Sequence, residues 1–255
     1  MSQNWIPFLA ELADIAQPIA KHYFRNKSLK VDQKKDFSPV SEADREIELK
    51  IREYTGQKYP ELSIVGEEFE IKESGGKTKL IIDPIDGTRN FILGIPHVGA
   101  LLAIEEDGEV IAGLVCSLID GNRWWAQKNS GAFYNGESIH VTSIDKLENA
   151  QAFYGSLYGR ESDESYGKGV QELLKKTYRQ RGFGDYYAHV MVAMGCGEVS
   201  FDFNLNPWDI APLKILVEEA GGKLTDLNGV PTIYTRHIAL SNGVLHDTLL
   251  SYLKN

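Results

Sequence analysis

Apolar side chains recur every three to four residues from Trp5 to Phe24, through Phe8, Leu9, Leu12, Ile15 and Ile19, which is the stripe of an amphipathic helix. Residues 41–58 repeat the pattern with Ile47, Ile51 and Tyr54. The period then changes. Ser63-Ile64-Val65 and Lys79-Leu80-Ile81-Ile82 are apolar runs of strand length, followed by Val98 to Ile104, Val110 to Leu118 and Arg123 to Ala126. Glu106-Asp107-Gly108 and Asn135-Gly136 are hairpin-type turns, so this middle third predicts an antiparallel sheet in which Trp124, Trp125 and Phe133 pack. The second half alternates a strand near Ala152-Phe153, a helix over Val170 to Lys176, a strand at Val199 to Phe203, a helix opening at Trp208, a strand at His237 to Ser241 and a terminal helix. This order predicts an α/β (α+β) architecture. Lys72 to Lys79, rich in Gly and Lys, reads as an exposed loop, and the chain has no internal repeat.

Length and charge narrow the function. With 255 residues and 42% hydrophobic content, the chain can bury a sizeable core as one catalytic domain, residues 1–255, in two lobes of roughly 1–150 and 151–255. A formal net charge of -9 argues against nucleic acid as a partner, because backbone binding needs clustered Lys and Arg. Two separated cysteines, Cys116 and Cys196, suit a reducing compartment, and the cytoplasm is the expected location. Glu11 and Asp14 interrupt the N-terminal apolar pattern, unlike a secretory leader. The run from Val110 to Ile119 is too short to span a bilayer, so no membrane association is expected.

The candidate chemistry lies in Asp83-Pro84-Ile85-Asp86-Gly87-Thr88. Asp83 is expected at the carboxyl end of the Lys79–Ile82 strand, where α/β sheets place ligand sites. Asp83 and Asp86 at this spacing, with the Ile85 carbonyl, can share hard divalent cations. A helix opening at Thr88 would present N–H groups to an anion. Alone, such a stretch is an ordinary Asp-rich turn. It has company: Gly66-Glu67-Glu68 follows another short strand, and Pro207-Trp208-Asp209 opens an apolar segment. Asp44 and Asp209 also read as acids of helix first turns, and the six histidines show no metal-ligand spacing.

Gly66-Glu67-Glu68, Asp83-Pro84-Ile85-Asp86-Gly87-Thr88 and Trp208-Asp209-Ile210-Ala211 together resemble the motifs of the inositol-monophosphatase-like family of metal-dependent, lithium-sensitive phosphatases. The resemblance extends over essentially the whole chain. It implies a layered αβαβα sandwich of the inositol monophosphatase and sugar phosphatase type, usually a homodimer. It further implies Glu67, Asp83, Asp86, Asp209 and the Ile85 carbonyl as metal ligands, Gly87 and Thr88 as the phosphate cradle, and Asp44 paired with Thr88 to orient a water. Glu68 is left to hold water or to support its neighbours. The implied cofactor is Mg²⁺, two or three ions per site, with Mn²⁺ as a substitute. A polar flap from Lys34 to Pro39 would lie over the site.

Substrate preference is sought in the second half. Gly184-Asp185-Tyr186-Tyr187 and Leu205-Asn206-Pro207-Trp208-Asp209 resemble the histidinol-phosphatase branch of that family, and Asp202 matches its acidic substrate contact. Asp185 and Asp202 would place negative charge in the pocket away from the metals, which suits an ammonium group. The expected partner is a small phosphate monoester, foremost L-histidinol phosphate. An inositol or sugar phosphate is the alternative, since carboxylates also accept hydroxyl hydrogen bonds. A catalytically silent relative is disfavoured because every motif acid is present. No basic cluster for a second phosphate is evident.

Overall fold

The computed structural model describes residues 3–34, 37–157 and 167–254. Two N-terminal helices, α1 (Ile6–Tyr23) and α2 (Glu42–Lys58), fall within a residue of the periodic segments and flank a small antiparallel hairpin of β1 (Val31–Gln33) and β2 (Pro39–Ser41). A seven-stranded sheet follows in chain order. Its strands are β3 (Ser63–Gly66), β4 (Thr78–Asp86), β5 (Gly99–Glu106), β6 (Glu109–Ser117), β7 (Arg123–Gln127), β8 (Ala132–Tyr134) and β9 (Glu137–Ile139). Only β3 and β4 run parallel; the remaining neighbours are antiparallel, as the hairpin turns predict. Between β4 and β5 lies a short helix, α3 (Thr88–Leu93).

The second half builds a five-stranded sheet from β10 (Gln151–Tyr154), β11 (Arg179–Gly182), β12 (Val199–Phe203), β13 (Lys223–Thr225) and β14 (His237–Ser241), in the order β11-β10-β12-β14-β13. Its helices are α4 (Gly167–Lys176), α5 (Asp185–Ala193), α6 (Pro207–Glu219) and α7 (His246–Leu253). Three apolar layers fix the stacking. Leu80, Ile82, Leu102, Ile104 and Leu114 point to one face of the large sheet and pack with α1 and α2. Ile81, Leu101, Ala103 and Val115 point to the other, where α5 and α6 join Phe153, Leu224, Ile238 and Leu240 of the small sheet. Ala152, Val199, Phe201 and Ala239 face outward against α4 and α7. The layers are therefore αβαβα, and large-sheet strands buried on both faces read as unbroken apolar runs because neither side meets water.

Several elements depart from the pattern. Lys79 belongs to β4, paired with Ser63 and Glu105, so the exposed loop ends earlier than its composition implies. Strand β11, Arg-Gln-Arg-Gly, is a sheet edge with no apolar alternation to announce it. Helix α5 is buried around most of its circumference, with Tyr186, Ala188, His189, Val190, Val192 and Ala193 all inside, and so lacks a one-sided stripe.

Candidate active site

Strand β4 runs further than expected, and its irregularity builds the site. Asp83 pairs with Leu101 and Asp86 with Gly99, an advance of three residues on β4 against two on β5. Residues three apart on a regular strand face opposite sides. The extra residue, inserted beside Pro84, returns Asp86 to the side of Asp83. Asp83 Oδ1 accepts the Ile85 N–H at 3.0 Å. Gly87 then takes a left-handed backbone (φ 85°), and a Cβ there would meet the His97 carbonyl at 3.1 Å and Asp185 Oδ2 at 3.2 Å.

Asp44 is fully buried in the first turn of α2 and divides its oxygens. Oδ2 accepts the Ser41 N–H (2.8 Å) and hydroxyl (2.5 Å), closing the helix cap, while Oδ1 lies 3.1 Å from Thr88 Oγ1. The Thr88 hydroxyl is also 3.1 Å from the Ile85 carbonyl, so its single proton serves one acceptor at a time. Burial pushes the Asp44 carboxyl up to about 6 despite the Ser41 bonds. Asp209, in the first turn of α6, likewise accepts the Asn206 N–H at 2.7 Å. Helix α6 lies against β6 at Gly113, where a Cβ would stand 2.6 Å from Ile215 Cγ2 and 2.8 Å from the Pro212 Cα.

Asp83, Asp86 and Asp209 converge until oxygens of all three lie within 4.8 Å of one another. Glu67 stands outside that group of three, but its charge adds to the rise of the Asp83 carboxyl. Burial, reinforced by the neighbouring carboxylates, raises Asp83 and Asp86 well above the usual range and Asp209 to about 7. A partly buried, self-repelling set of oxygen donors, with Asp83 inside and Asp86 and Asp209 at the cleft wall, fits a hard divalent cation, which would relieve that repulsion. The Lys34 ammonium sits 2.7 Å from Glu67 Oε1 and from Glu68 Oε1, and burial lifts Glu68 to about 7 even so. Of the expected flap, residues 35 and 36 lie outside the described residues.

The acids form one end of a cleft of about 440 Å³ lined also by Gly155, Ser156, Phe183, His189, Phe203 and Asn204. Asp185 departs from the expected position away from the clustered acids, standing against the Gly87 turn beside Asp86. Gly184 and Asp185 both adopt positive φ (68° and 48°), which turns the start of α5 so that the Tyr186 N–H donates to Asp86 Oδ2 at 2.5 Å. Asn90 of α3 holds Asp185 Oδ2 at 2.7 Å against the Gly87 turn, and Asp185 raises Asp86 by repulsion. Asp202 lies deeper. Its Oδ1 accepts the Phe203 N–H at 2.8 Å, its carboxylate packs over Gly155, and His189 Nε2 is 3.8 Å from Oδ2. His189 is buried, bonded to Ser200 Oγ at 2.8 Å, and its pKa is lowered to about 4 by burial, so it is neutral at physiological pH.

The description of the inositol monophosphatase family matches residues 1–255. The chain belongs to that family. It is accordingly a phosphoric monoester hydrolase of a metal-dependent group. The chain is 38% identical to a histidinol-phosphatase of Streptomyces coelicolor over 95% of its length and 94% of the relative's. It is 34% identical to a histidinol-phosphatase of Mycobacterium tuberculosis, with 99% of each chain covered. The solved structure of a Thermotoga maritima IMPase superposes with a TM-score of 0.88 at 33% identity, covering 99% of this chain and 97% of that one.

In this family member, Glu67, Asp83, Ile85, Asp86, Gly87, Thr88, Asp185, Asp202 and Asp209 all line one cleft, and Asp44 reaches it through Thr88. Sequence reasoning passed over Asn90 and His189, and placed Lys34 in the flap without its contacts to Glu67 and Glu68. Asn90 stands two residues beyond the motif on α3, a spacing that places it near the same turn. Lys34 and His189 carry no local signal, because their neighbours at the site come from remote segments.

Proposed function

We propose that the enzyme hydrolyses a small phosphate monoester carrying an ammonium group beside the ester carbon, foremost L-histidinol phosphate to L-histidinol. The observation that carries this reading is Asp185, held by Asn90 against the Gly87 turn. In histidinol phosphate the ammonium sits on the carbon next to the ester methylene. A carboxylate beside the phosphate turn, rather than far down the cleft, matches that short reach. Asp202, deeper and next to neutral His189, is the acceptor for an imidazole N–H. The similarity to histidinol-phosphatases over nearly the whole chain supports the same choice. Inositol phosphate is the second reading, since both carboxylates can accept hydroxyl protons.

In the proposed mechanism Glu67, Asp83, Asp86, Asp209 and the Ile85 carbonyl hold Mg²⁺, or Mn²⁺ in its place. The bound cation supplies charge neutralisation for the phosphoryl oxygens and acidifies water. Gly87 and Thr88 receive the phosphate through backbone N–H groups. Thr88 Oγ1 and Asp44 Oδ1, 3.1 Å apart, orient the attacking water and take up its proton, a positioning role that phosphoryl transfer rewards strongly. The ester P–O bond breaks as the water oxygen joins phosphorus, and the departing alkoxide takes its proton from solvent water in the cleft while Asp185 holds the substrate ammonium. No phosphoenzyme is required. Residues 1–255 act as one domain, and a homodimer is part of the proposal.

The test is phosphate release from histidinol phosphate and from inositol 1-phosphate, each with Mg²⁺ and with excess chelator. A kcat/KM ratio of about 100 or more, roughly 2.7 kcal/mol of transition-state discrimination, is expected for histidinol phosphate. Equal rates would assign a generalist, and release in chelator would overturn the metal mechanism.

A further inference from the structure

We infer that the buried Glu48–Arg52 pair of α2 is a positioning device for Glu67. The inference rests on the proposed role of Glu67 as a metal ligand. Glu48 and Arg52 lie one turn apart on α2, with Arg52 Nε 2.7 Å from Glu48 Oε1. The Glu48 side chain has no solvent exposure and that of Arg52 keeps 14%. A carboxylate so deep is costly unless paired and hydrogen-bonded, so its retention calls for a reason beyond helix stability.

Its remaining bonds supply the reason. Glu48 Oε2 accepts the Glu68 N–H at 2.8 Å. Arg52 Nη2 donates to the Phe69 carbonyl at 3.2 Å, with its guanidinium 5.7 Å from the centre of the Phe69 ring. The pair therefore grips the backbone that leaves β3 from both sides of Phe69. At the point of contact stands Gly66, where a Cβ would lie 2.1 Å from Glu48 Oε1 and 2.4 Å from its carboxyl carbon. Only glycine lets the chain pass this close. Gly66 is the last residue of β3, paired with Ile82 of β4, and Glu67 follows it directly. The strand fixes one end of the turn and the Glu48–Arg52 fork fixes the other, so the direction of the Glu67 side chain is set between them. A ligand oriented from behind in this way binds its metal without first losing conformational freedom.

The experiment measures Mn²⁺ binding to the purified full chain by the EPR signal of free Mn²⁺, together with Mg²⁺ activation and thermal unfolding. The proteins compared are the unsubstituted enzyme, Glu67→Gln, Glu48→Gln and Arg52→Lys. Glu67→Gln is expected to weaken Mn²⁺ binding, and Glu48→Gln to weaken that same component about tenfold. Glu48→Gln should raise the Mg²⁺ concentration for half-activation by a similar factor, while kcat at saturating Mg²⁺ stays within about threefold. Such a split distinguishes positioning from a general loss of structure. If Glu48→Gln fails to fold, Arg52→Lys carries the test, since it keeps the charge but loses the fork. Weakened binding in Glu67→Gln with unchanged binding in the folded Glu48 and Arg52 variants overturns the inference alone. Unchanged binding in Glu67→Gln overturns the ligand role and the inference with it.

Discussion

Asp44 and Asp209 show how one carboxylate serves both the fold and the cleft. Each caps its own helix with one oxygen bonded to a backbone N–H three residues earlier. For Asp44 the second oxygen meets Thr88. The first-turn reading from sequence holds for both, because a helix N-terminus favours an acid, and the same placement holds the side chain still beside the cleft. Asp83→Asn changes shape little but removes charge from the cluster. Turnover is expected to fall by a factor of about 10³ or more with the circular dichroism spectrum unchanged, the loss arising from metal charge stabilisation; near-normal kcat would remove Asp83 from the ligand set. Asp185→Ala should lower kcat/KM for histidinol phosphate by about tenfold or more beyond its effect on inositol 1-phosphate. Parallel losses on the two substrates would eliminate the ammonium argument.

At the level of elements, three features aim these residues: the bulge in β4, the positive-φ start of α5 and the close seating of α6 on β6. The first places Asp86 beside Asp83, the second brings Asp185 to Gly87, and the third carries Asp209 to both. Gly113→Ala tests the third. Its new methyl would press on the Pro212 backbone as well as on Ile215, and backbone yields less readily than a side chain. Overpacking of this kind costs about 1–3 kcal/mol, so a fall of several degrees in Tm is expected, with a higher Mg²⁺ requirement as Asp209 is displaced. An unchanged Tm and unchanged Mg²⁺ dependence would show that α6 shifts freely. The strands and amphipathic helices that pattern their apolar residues were legible, whereas α5 and β11 were not. A helix buried around most of its circumference and a polar edge strand lack the one-sided exposure that periodicity records.

For the whole molecule, the cluster makes stability depend on pH and metal together. Asp209, raised from its ordinary carboxylate value to about 7 by burial and by Glu67, binds its proton more tightly folded than unfolded. The metal-free protein is therefore most favoured below the unfolded pKa. It should lose stability as pH rises from about 4 through about 7, with Asp83 and Asp86 extending the trend in the same direction. Mg²⁺ should raise Tm by an increment that grows across that window, because binding to the folded state requires deprotonated ligands. A metal increment independent of pH would contradict the site as assigned. The sequence by itself determined the alternating order of strands and helices and which acids stand at element ends, because those signals are local in the chain; the αβαβα layering came from the family resemblance of its motifs. Only the tertiary structure decided where the acids point. Asp185 meets Gly87 from about a hundred residues away, Lys34 meets Glu67, and His189 lies beside Asp202. Such contacts depend on backbone irregularities and helix docking, whose effect on direction no periodicity encodes.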